Sequence, residues 1–221
     1  MRLEMTLMIS EDIKGRMTKE FQSSLTRGVK LVLFTQEHEC PSCREVRQLV
    51  EEVSALSDKI TAERYDFVND AEMAREFKID KIPAIAFERD GEDCRIRFYG
   101  SPVGYEFKVL IDDIIRISRS DSGLSDKTRA VLRSVDKSIH IQVFVTPTCP
   151  YCPGATTLAH QFALESKMIS ADMVEASEFP HLAQKYAVMS VPKIVINESV
   201  EFVGALPEEK FLEKALDAAK R

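Results

Sequence analysis

Two stretches of the sequence decide the fold: Lys30–Cys43, KLVLFTQEHECPSC, and Ile139–Cys152, IHIQVFVTPTCPYC. Each is a run of β-branched and aromatic residues followed by a C-x-x-C motif, a pattern typical of a buried strand leading into a reactive or metal-binding turn. The first cysteines of the two motifs lie 109 residues apart. A β-branched residue followed by proline, Ile82-Pro83 and Val191-Pro192, recurs at the same spacing of 109. The constant offset indicates an internal repeat.

Both copies share one order of predicted elements: strand, helix, strand, helix, strand, strand, helix. A hairpin follows each proline, Ala84–Phe87 with Arg95–Tyr99 in the first copy and Lys193–Asn197 with Val200–Val203 in the second. This order joins a βαβ unit to a ββα unit. The sequence therefore predicts an α/β protein with two tandem domains, each a mixed central sheet flanked by helices.

The domains are predicted at residues 1–120, which contain CPSC, and 121–221, which contain CPYC. A short polar linker, SRSDSG at Ser118–Gly123, is predicted to join them.

The composition narrows the class of protein. With 30% charged and 44% hydrophobic residues, the 221-residue chain matches an ordinary globular protein. Its net charge of −6 argues against nucleic acid as a partner, because phosphate binding needs a basic surface. No apolar run approaches the roughly 20 residues of a membrane helix. The N-terminal stretch Met1–Met17 lacks the features of a secretory signal, so we expect a cytoplasmic protein.

The C-x-x-C pairs predict thiol–disulfide chemistry. We expect each pair at the start of a helix, with Pro41 and Pro150 at the first helical position. Free N–H groups and the partial positive charge of a helix N-terminus favour a thiolate there. The first cysteine of each pair, Cys40 and Cys149, is then the nucleophile. The second, Cys43 or Cys152, resolves the mixed disulfide.

Two other interpretations of the cysteines are possible. Four cysteines could form a tetrahedral zinc site, but zinc ribbons usually separate their pairs by about 15–20 residues, far fewer than here. A purely structural disulfide is rare in a cytosolic protein outside hyperthermophiles. The repeat favours two independent redox sites and no metal.

The repeated prolines predict a substrate-facing turn. Pro83 and Pro192 each begin a strand, where proline is tolerated. If the bonds from Ile82 and Val191 are cis, each turn places its backbone beside a cysteine pair. The N–H and C=O groups of those two residues would then bind an extended substrate segment, as in strand addition. The alternative is an ordinary trans proline that only starts a strand.

On these residues the chain resembles the thioredoxin superfamily, and the resemblance implies a cis-proline facing each redox pair. The motif CPYC at 149–152 is similar to the glutaredoxin active site, which implies a substrate-facing role for Tyr151. Two such domains in one chain resemble the protein disulfide oxidoreductases of hyperthermophilic archaea and bacteria. The N-terminal module of the alkyl-hydroperoxide-reductase flavoprotein is less similar, since it keeps only one active C-x-x-C.

At some positions the sequence differs from the motifs of thioredoxins and glutaredoxins. Thioredoxins carry Trp before CGPC and a buried acid on the preceding strand, but this chain has no Trp, and Phe34 and Val143 take the place of the acid. The glutathione-binding Gly-Gly-x-x-Asp of glutaredoxins is replaced by Gly204-Ala205-Leu206-Pro207. We therefore expect protein dithiols and disulfides as substrates in preference to glutathione.

The leading hypothesis is a protein-disulfide oxidoreductase of cell redox homeostasis that reduces, oxidises or isomerises disulfides. No Gly-rich dinucleotide fingerprint is present, so we expect no bound cofactor and electron transport from a separate thioredoxin-reductase-like flavoprotein. One alternative is a dedicated electron donor to a peroxiredoxin or reductase. Others are a peptide-binding or chaperone module whose thiols are secondary, and a zinc-binding structural protein.

The two sites are predicted to differ. Cys40 follows Glu37 and Glu39, and nearby carboxylates disfavour a thiolate, whereas no charge precedes Cys149 closely. We therefore expect the lower nucleophile pKa at Cys149. The alternative is that both carboxylates point into solvent and are screened. The fifth cysteine, Cys94, has no counterpart in the second copy and is interpreted as a bystander thiol, or, if exposed, as a link between chains.

Overall fold

A computed structural model describes residues 8–220 of the chain. Residues 1–7, where the stretch that argues against a secretory signal begins, lie outside the described part. Among the described residues no helix has the length and apolar character needed to cross a membrane. The cytoplasmic location stays a prediction.

The N-terminal half follows the predicted order of elements. Its elements are α1 (Glu11–Ser24), β1 (Val29–Thr35), α2 (Cys43–Ser54), β2 (Ile60–Asp66), α3 (Ala71–Glu76), β3 (Ala84–Arg89), β4 (Glu92–Tyr99) and α4 (Glu106–Arg119). The amphipathic pattern explains these helices: α2 buries Val46, Leu49, Val50 and Val53 on one face.

The C-terminal half repeats the order. Its elements are α5 (Asp126–Arg133), β5 (Ile139–Val145), α6 (Cys152–Glu165), β6 (Ile169–Glu175), α7 (Pro180–Lys185), β7 (Lys193–Ile196), β8 (Val200–Val203) and α8 (Glu208–Lys220). Ser125 caps α5, because its hydroxyl accepts a hydrogen bond from the Thr128 N–H.

The predicted α/β class is confirmed, and the two sheets are joined. One eight-stranded sheet runs in the order β2-β1-β3-β4-β6-β5-β7-β8. The halves meet where β4 pairs with β6 in parallel, from Ile96 opposite Ala171 to Tyr99 opposite Val174. β1, β4, β5 and β6 all run in one direction, since β3 is antiparallel to both β1 and β4. The carboxyl ends of β1 and β5, where the cysteine pairs follow, therefore lie along the same edge.

Hydrophobic clusters cover both faces of the sheet. On one face a single cluster spans both halves and includes Phe21, Leu31, Phe98, Phe162 and Phe211. On the other face a smaller cluster is built around Phe34, Tyr99 and Phe144. Because the larger cluster contains residues of α1, α2, α4, α6 and α8, the halves share one core.

Two sequence predictions need correction. The helices begin at Cys43 and Cys152, so Pro41 and Pro150 lie in the turns before them and not at the first helical position. The predicted linker overlaps α4, which ends at Arg119. Ser118 is buried in that helix, where its hydroxyl accepts hydrogen bonds from the N–H groups of Thr26 and Arg27.

Candidate active site

The N-terminal cysteine pair lies in the loop and helix that follow β1. Cys40 and Cys43 form a disulfide, and Cys43 is the buried first residue of α2. The N–H of Cys43 donates to the carbonyl of Cys40 at 3.3 Å, which closes a tight turn across the motif. The pair is thus present in its oxidised form.

The C-terminal pair is present as two thiols. Cys149 is 8% exposed and Cys152 is fully buried at the start of α6. The Cys149 thiol donates to the carbonyl of Val191 at 3.6 Å. Burial, together with the hydrogen bond to Cys149, raises the pKa of the Cys152 thiol well above its ordinary value, so Cys152 holds its proton. Cys149 is the less buried of the two cysteines, and its role as the attacking nucleophile stays a prediction.

The repeated prolines take the predicted conformation. Both the Ile82-Pro83 and the Val191-Pro192 peptide bonds are cis. The contact between Val191 and Cys149 shows that this turn faces the C-terminal cysteine pair. The turns are held alike, since the carbonyls of the two prolines accept from Gly100 N at 3.0 Å and from Gly204 N at 2.8 Å. Whether Ile82, Val191 and the prolines bind substrate stays a prediction.

The rims of the two sites differ in polarity. Tyr151 within CPYC is 71% exposed, and Met189 beside the cis-proline turn is 92% exposed. The residues at the equivalent positions of the first copy are Ser42 and Asp80. Asp80 is exposed and pairs with Lys81. The C-terminal site therefore has an apolar rim and the N-terminal site a polar one.

A residue of the C-terminal half completes the N-terminal site, and the sequence analysis missed it. The carboxylate of Glu178 accepts hydrogen bonds from the hydroxyl of Ser42, between the two cysteines, and from the N–H of Ser101 at 2.6 Å. Gly100 lies against the same segment: a Cβ on it would stand 2.8 Å from Glu175 Cβ and 2.9 Å from Glu178 Oε1. Glu178 follows a buried strand without any motif, and only the pairing of β4 with β6 brings it here.

The acidic flank of Cys40 is partly neutralised. Glu37 is exposed and lies 3.4 Å from the guanidinium of Arg47 and 4.0 Å from that of Arg64. Because these cations oppose the carboxylate, the charge difference between the two sites is smaller than the sequence alone indicates. The lower nucleophile pKa at Cys149 stays a prediction.

The remaining cysteine and two histidines are buried or paired. Cys94 is buried, which raises the pKa of its thiol to about 12 and overturns the exposed alternative. His140 lies 2.6 Å from Asp172, and the fully buried His160 lies 2.6 Å from Asp113. Within residues 8–220 no three His, Cys, Asp or Glu side chains cluster as metal ligands would. The absence of a metal stays a prediction.

Comparison with known protein families finds one matching domain in each copy of the repeat. A family model described as Thioredoxin matches residues 13–109, and one described as Thioredoxin domain matches residues 139–217. The fold and the cysteine pairs thus define a tandem thioredoxin-fold oxidoreductase.

The relatives identify the family. A crystal structure of a protein disulfide oxidoreductase from Aeropyrum pernix K1 is 34% identical, with a TM-score of 0.90 over 97% of this chain and 95% of that one. The chain belongs to the protein disulfide oxidoreductase family.

More distant relatives share the fold. The alkylhydroperoxide reductase AhpF of Enterococcus faecalis is 24% identical, with a TM-score of 0.87 over 94% of this chain and 99% of that one. The corresponding alkyl hydroperoxide reductase component of Pseudomonas aeruginosa is 25% identical over 94% of this chain, and the NADH dehydrogenase of Bacillus subtilis is 21% identical over 83%. The chain spans about a third of the length of these two curated relatives, 37% and 34% respectively.

Proposed function

We propose that the chain exchanges electrons with protein dithiols and disulfides through its two cysteine pairs. The observation that carries this proposal is the C-terminal site: the Cys149 thiol lies beside the carbonyl of Val191 in a cis-proline turn, and Cys152 is fully buried at the start of α6. This site therefore combines a nucleophile, a resolving thiol and backbone groups for binding an extended substrate.

In the reducing direction, the thiolate of Cys149 attacks a substrate disulfide. A mixed disulfide forms, and one substrate sulfur leaves as a thiolate. Cys152 then loses its proton and attacks Cys149 Sγ, which releases the second substrate thiolate and leaves Cys149 and Cys152 joined. Two electrons pass from the pair to the substrate. Oxidation of a substrate dithiol is the reverse, and Cys40 and Cys43 undergo the same steps at the N-terminal site.

The rims support different clients for the two sites. Tyr151 and Met189 offer apolar contact area beside Cys149, which suits extended segments with apolar side chains next to their cysteines. The N-terminal rim, with Ser42 and Asp80 at those positions, suits polar segments.

A second function, electron donation to a peroxiredoxin, is favoured by the likeness to the alkyl hydroperoxide reductase component of Pseudomonas aeruginosa. We propose that a thioredoxin-reductase-like flavoprotein is the source of electrons in both cases. A coupled assay with such a reductase, a peroxiredoxin and peroxide separates this role from general disulfide reduction. Peroxide consumption that depends on this chain supports it.

The decisive assay is dithiothreitol-driven reduction of insulin. We expect Cys149→Ser to abolish most of the activity, because the C-terminal pair loses its nucleophile, and Cys40→Ser to lower it. Cys94→Ser is the matched control and leaves the rate unchanged. If the double variant Cys40→Ser/Cys149→Ser retains the full rate, the redox proposal fails and a peptide-binding module takes its place.

A further inference from the structure

The N-terminal cysteine motif contacts a carboxylate that belongs to the other half. The hydroxyl of Ser42, between Cys40 and Cys43, donates to the carboxylate of Glu178, in the turn after β6. Ser42 is also the residue before α2, where a serine hydroxyl commonly accepts from the free N–H groups of a helix. Within α2 this hydroxyl makes no capping bond, and it donates to Glu178 instead. The cysteine motif is therefore tied to the C-terminal half.

The surrounding contacts hold Glu178 in place. Its N–H donates to the carboxylate of the buried Glu175 at 2.7 Å, and its own carboxylate accepts from the Ser101 N–H at 2.6 Å. Gly100 permits the approach, because a Cβ on it would stand 2.9 Å from Glu178 Oε1. The pairing of β4 with β6 thus places a carboxylate beside the CPSC motif.

The C-terminal motif has no such arrangement within residues 8–220. The exposed Tyr151 takes the place of Ser42. Gly204 takes the place of Gly100, and nothing lies within 4 Å of a Cβ added to it. Among the described residues the sheet ends at β8, so no strand lies beside Gly204 as β6 lies beside Gly100. Glu178 therefore acts on the N-terminal pair and has no counterpart at the C-terminal pair.

Other charged groups of both signs lie near the N-terminal pair. Arg44 and Arg47 line a cavity of about 120 Å³ together with Glu37 and both cysteines. Arg47 lies 3.4 Å from Glu37, and Glu45 lies in the first turn of α2. The two arginines favour a thiolate at this pair, and the carboxylates disfavour it. Glu178 is hydrogen-bonded to a side chain inside the motif, so its charge acts on the motif directly.

Reduction of the N-terminal pair creates a negative charge in the motif that Glu178 contacts. Two electrons break the bond between Cys40 and Cys43. With one proton from solvent, they leave a thiolate at Cys40 and a thiol at Cys43. A nearby carboxylate disfavours the thiolate by like-charge repulsion. Glu178 also engages the Ser42 hydroxyl, which has one proton to donate and cannot give it to the Cys40 sulfur at the same time. Both effects favour the disulfide over the dithiol.

We propose that Glu178, supplied by the C-terminal half, lowers the reduction potential of the Cys40–Cys43 pair. The inference rests on the function proposed above, in which this pair exchanges electrons with client proteins. Glu178 acts through Ser42 and is a positioning residue, because it does not touch the reacting sulfurs. A lower potential makes the N-terminal pair a better electron donor, so the C-terminal half biases this pair towards the reduction of client disulfides.

The test uses the full chain with the C-terminal pair removed by Cys149→Ser/Cys152→Ser, so that one pair reports. The protein is equilibrated with graded ratios of reduced and oxidised dithiothreitol and quenched in acid. The thiols of the N-terminal pair are then alkylated and counted by mass spectrometry. Glu178→Gln keeps an oxygen that accepts from the Ser42 hydroxyl but removes the charge. We expect it to shift the equilibrium about tenfold towards the dithiol, a rise in potential of about 30 mV.

Two control variants separate the charge from the hydrogen bond. Ser42→Ala removes the hydrogen bond and keeps the Glu178 charge, so we expect a shift of less than about threefold. Glu208→Gln is the matched control and keeps the parent potential. Like Glu178, Glu208 accepts from a serine hydroxyl and from a serine N–H, those of Ser125, but it lies at the start of α8.

The outcomes separate this inference from the proposed function. If the parent pair takes no electrons from dithiothreitol, or if its reduced form does not reduce insulin, the proposed function fails at this pair. If the parent pair does both and Glu178→Gln has the parent potential, only the role of Glu178 is refuted. An equal tenfold shift in Ser42→Ala assigns the effect to the serine and also overturns that role. Should Glu178→Gln not fold, Glu178→Ala takes its place, and an unchanged potential again refutes the role.

Discussion

Replacing Gly100 with alanine tests the contact between the halves. Gly100 has a φ of +87°, and its added Cβ would stand 2.8 Å from Glu175 Cβ. Gly204 is the equivalent residue of the second copy, with a φ of +95° and nothing within 4 Å of an added Cβ. Alanine therefore brings the same left-handed backbone strain at Gly100 and at Gly204, but its Cβ clashes with neighbouring atoms only at Gly100.

The expected costs follow from this geometry. A left-handed alanine costs roughly 1–2 kcal/mol at either position. At Gly100, crowding adds about 1–3 kcal/mol. Displacement of the Glu178 carboxylate also breaks its bond with the Ser101 N–H, a charge-assisted hydrogen bond worth about 1.5–3 kcal/mol. We therefore expect Gly100→Ala to destabilise the protein by about 3 kcal/mol more than Gly204→Ala. At roughly 2–4 °C per kcal/mol, its Tm is about 6–12 °C lower.

Urea unfolding followed by circular dichroism, with calorimetry alongside, measures the difference. Both variants are compared with the parent at the same redox state, because the Cys40–Cys43 disulfide also stabilises the fold. If the two alanine variants lose equal stability, the close packing of Gly100 against Glu175 and Glu178 is refuted.

Three further outcomes are expected. Burial raises the folded pKa of Glu106, the first residue of α4, from its ordinary value of 4.5 to about 7, so the folded state binds this proton more tightly. The free energy of unfolding should therefore fall by about 3 kcal/mol as pH rises from about 4.5 to 7. In urea unfolding, the Glu106→Gln variant should lack this pH-dependent fall. In alkylation at pH 8 followed by mass spectrometry, Cys94 should stay unlabelled until the protein unfolds while Cys149 reacts; early labelling of Cys94 would contradict its burial. Arg97→Leu should cost about 1–3 kcal/mol in urea unfolding, because the buried guanidinium donates to the Phe77 carbonyl and to Asp93, and its loss leaves that carbonyl without this donor; an unchanged stability would contradict this.

Much of each half was predictable from the sequence. The constant spacing from Cys40 to Pro83 and from Cys149 to Pro192 predicted the repeat and the shared order of the elements, and the resemblance to the thioredoxin superfamily implied the cis turns. These features could be predicted because strand periodicity and turn type depend on residues that are close together in the sequence.

The contacts between the halves were not predictable in the same way. A repeat describes each copy but not how two copies pack, so the pairing of β4 with β6 and the reach of Glu178 to Ser42 depended on tertiary structure. One signal for Glu106 was present: Glu106, Asp113 and the apolar Leu110 share one face of α4. Acids on the apolar face of an amphipathic helix mark candidates for buried proton-exchanging groups.

The single continuous sheet limits how electrons move within the molecule. Four strand spacings separate β1 from β5, and at about 4.8 Å each the two cysteine pairs stand about 19 Å apart. Thiol–disulfide exchange needs sulfur atoms at bonding distance, about 2 Å, and the shared core keeps the halves from closing that gap. The pairs therefore cannot reduce each other inside one chain. A client segment or another molecule must carry electrons between them, and an extended client with cysteines about six residues apart spans both pairs at once.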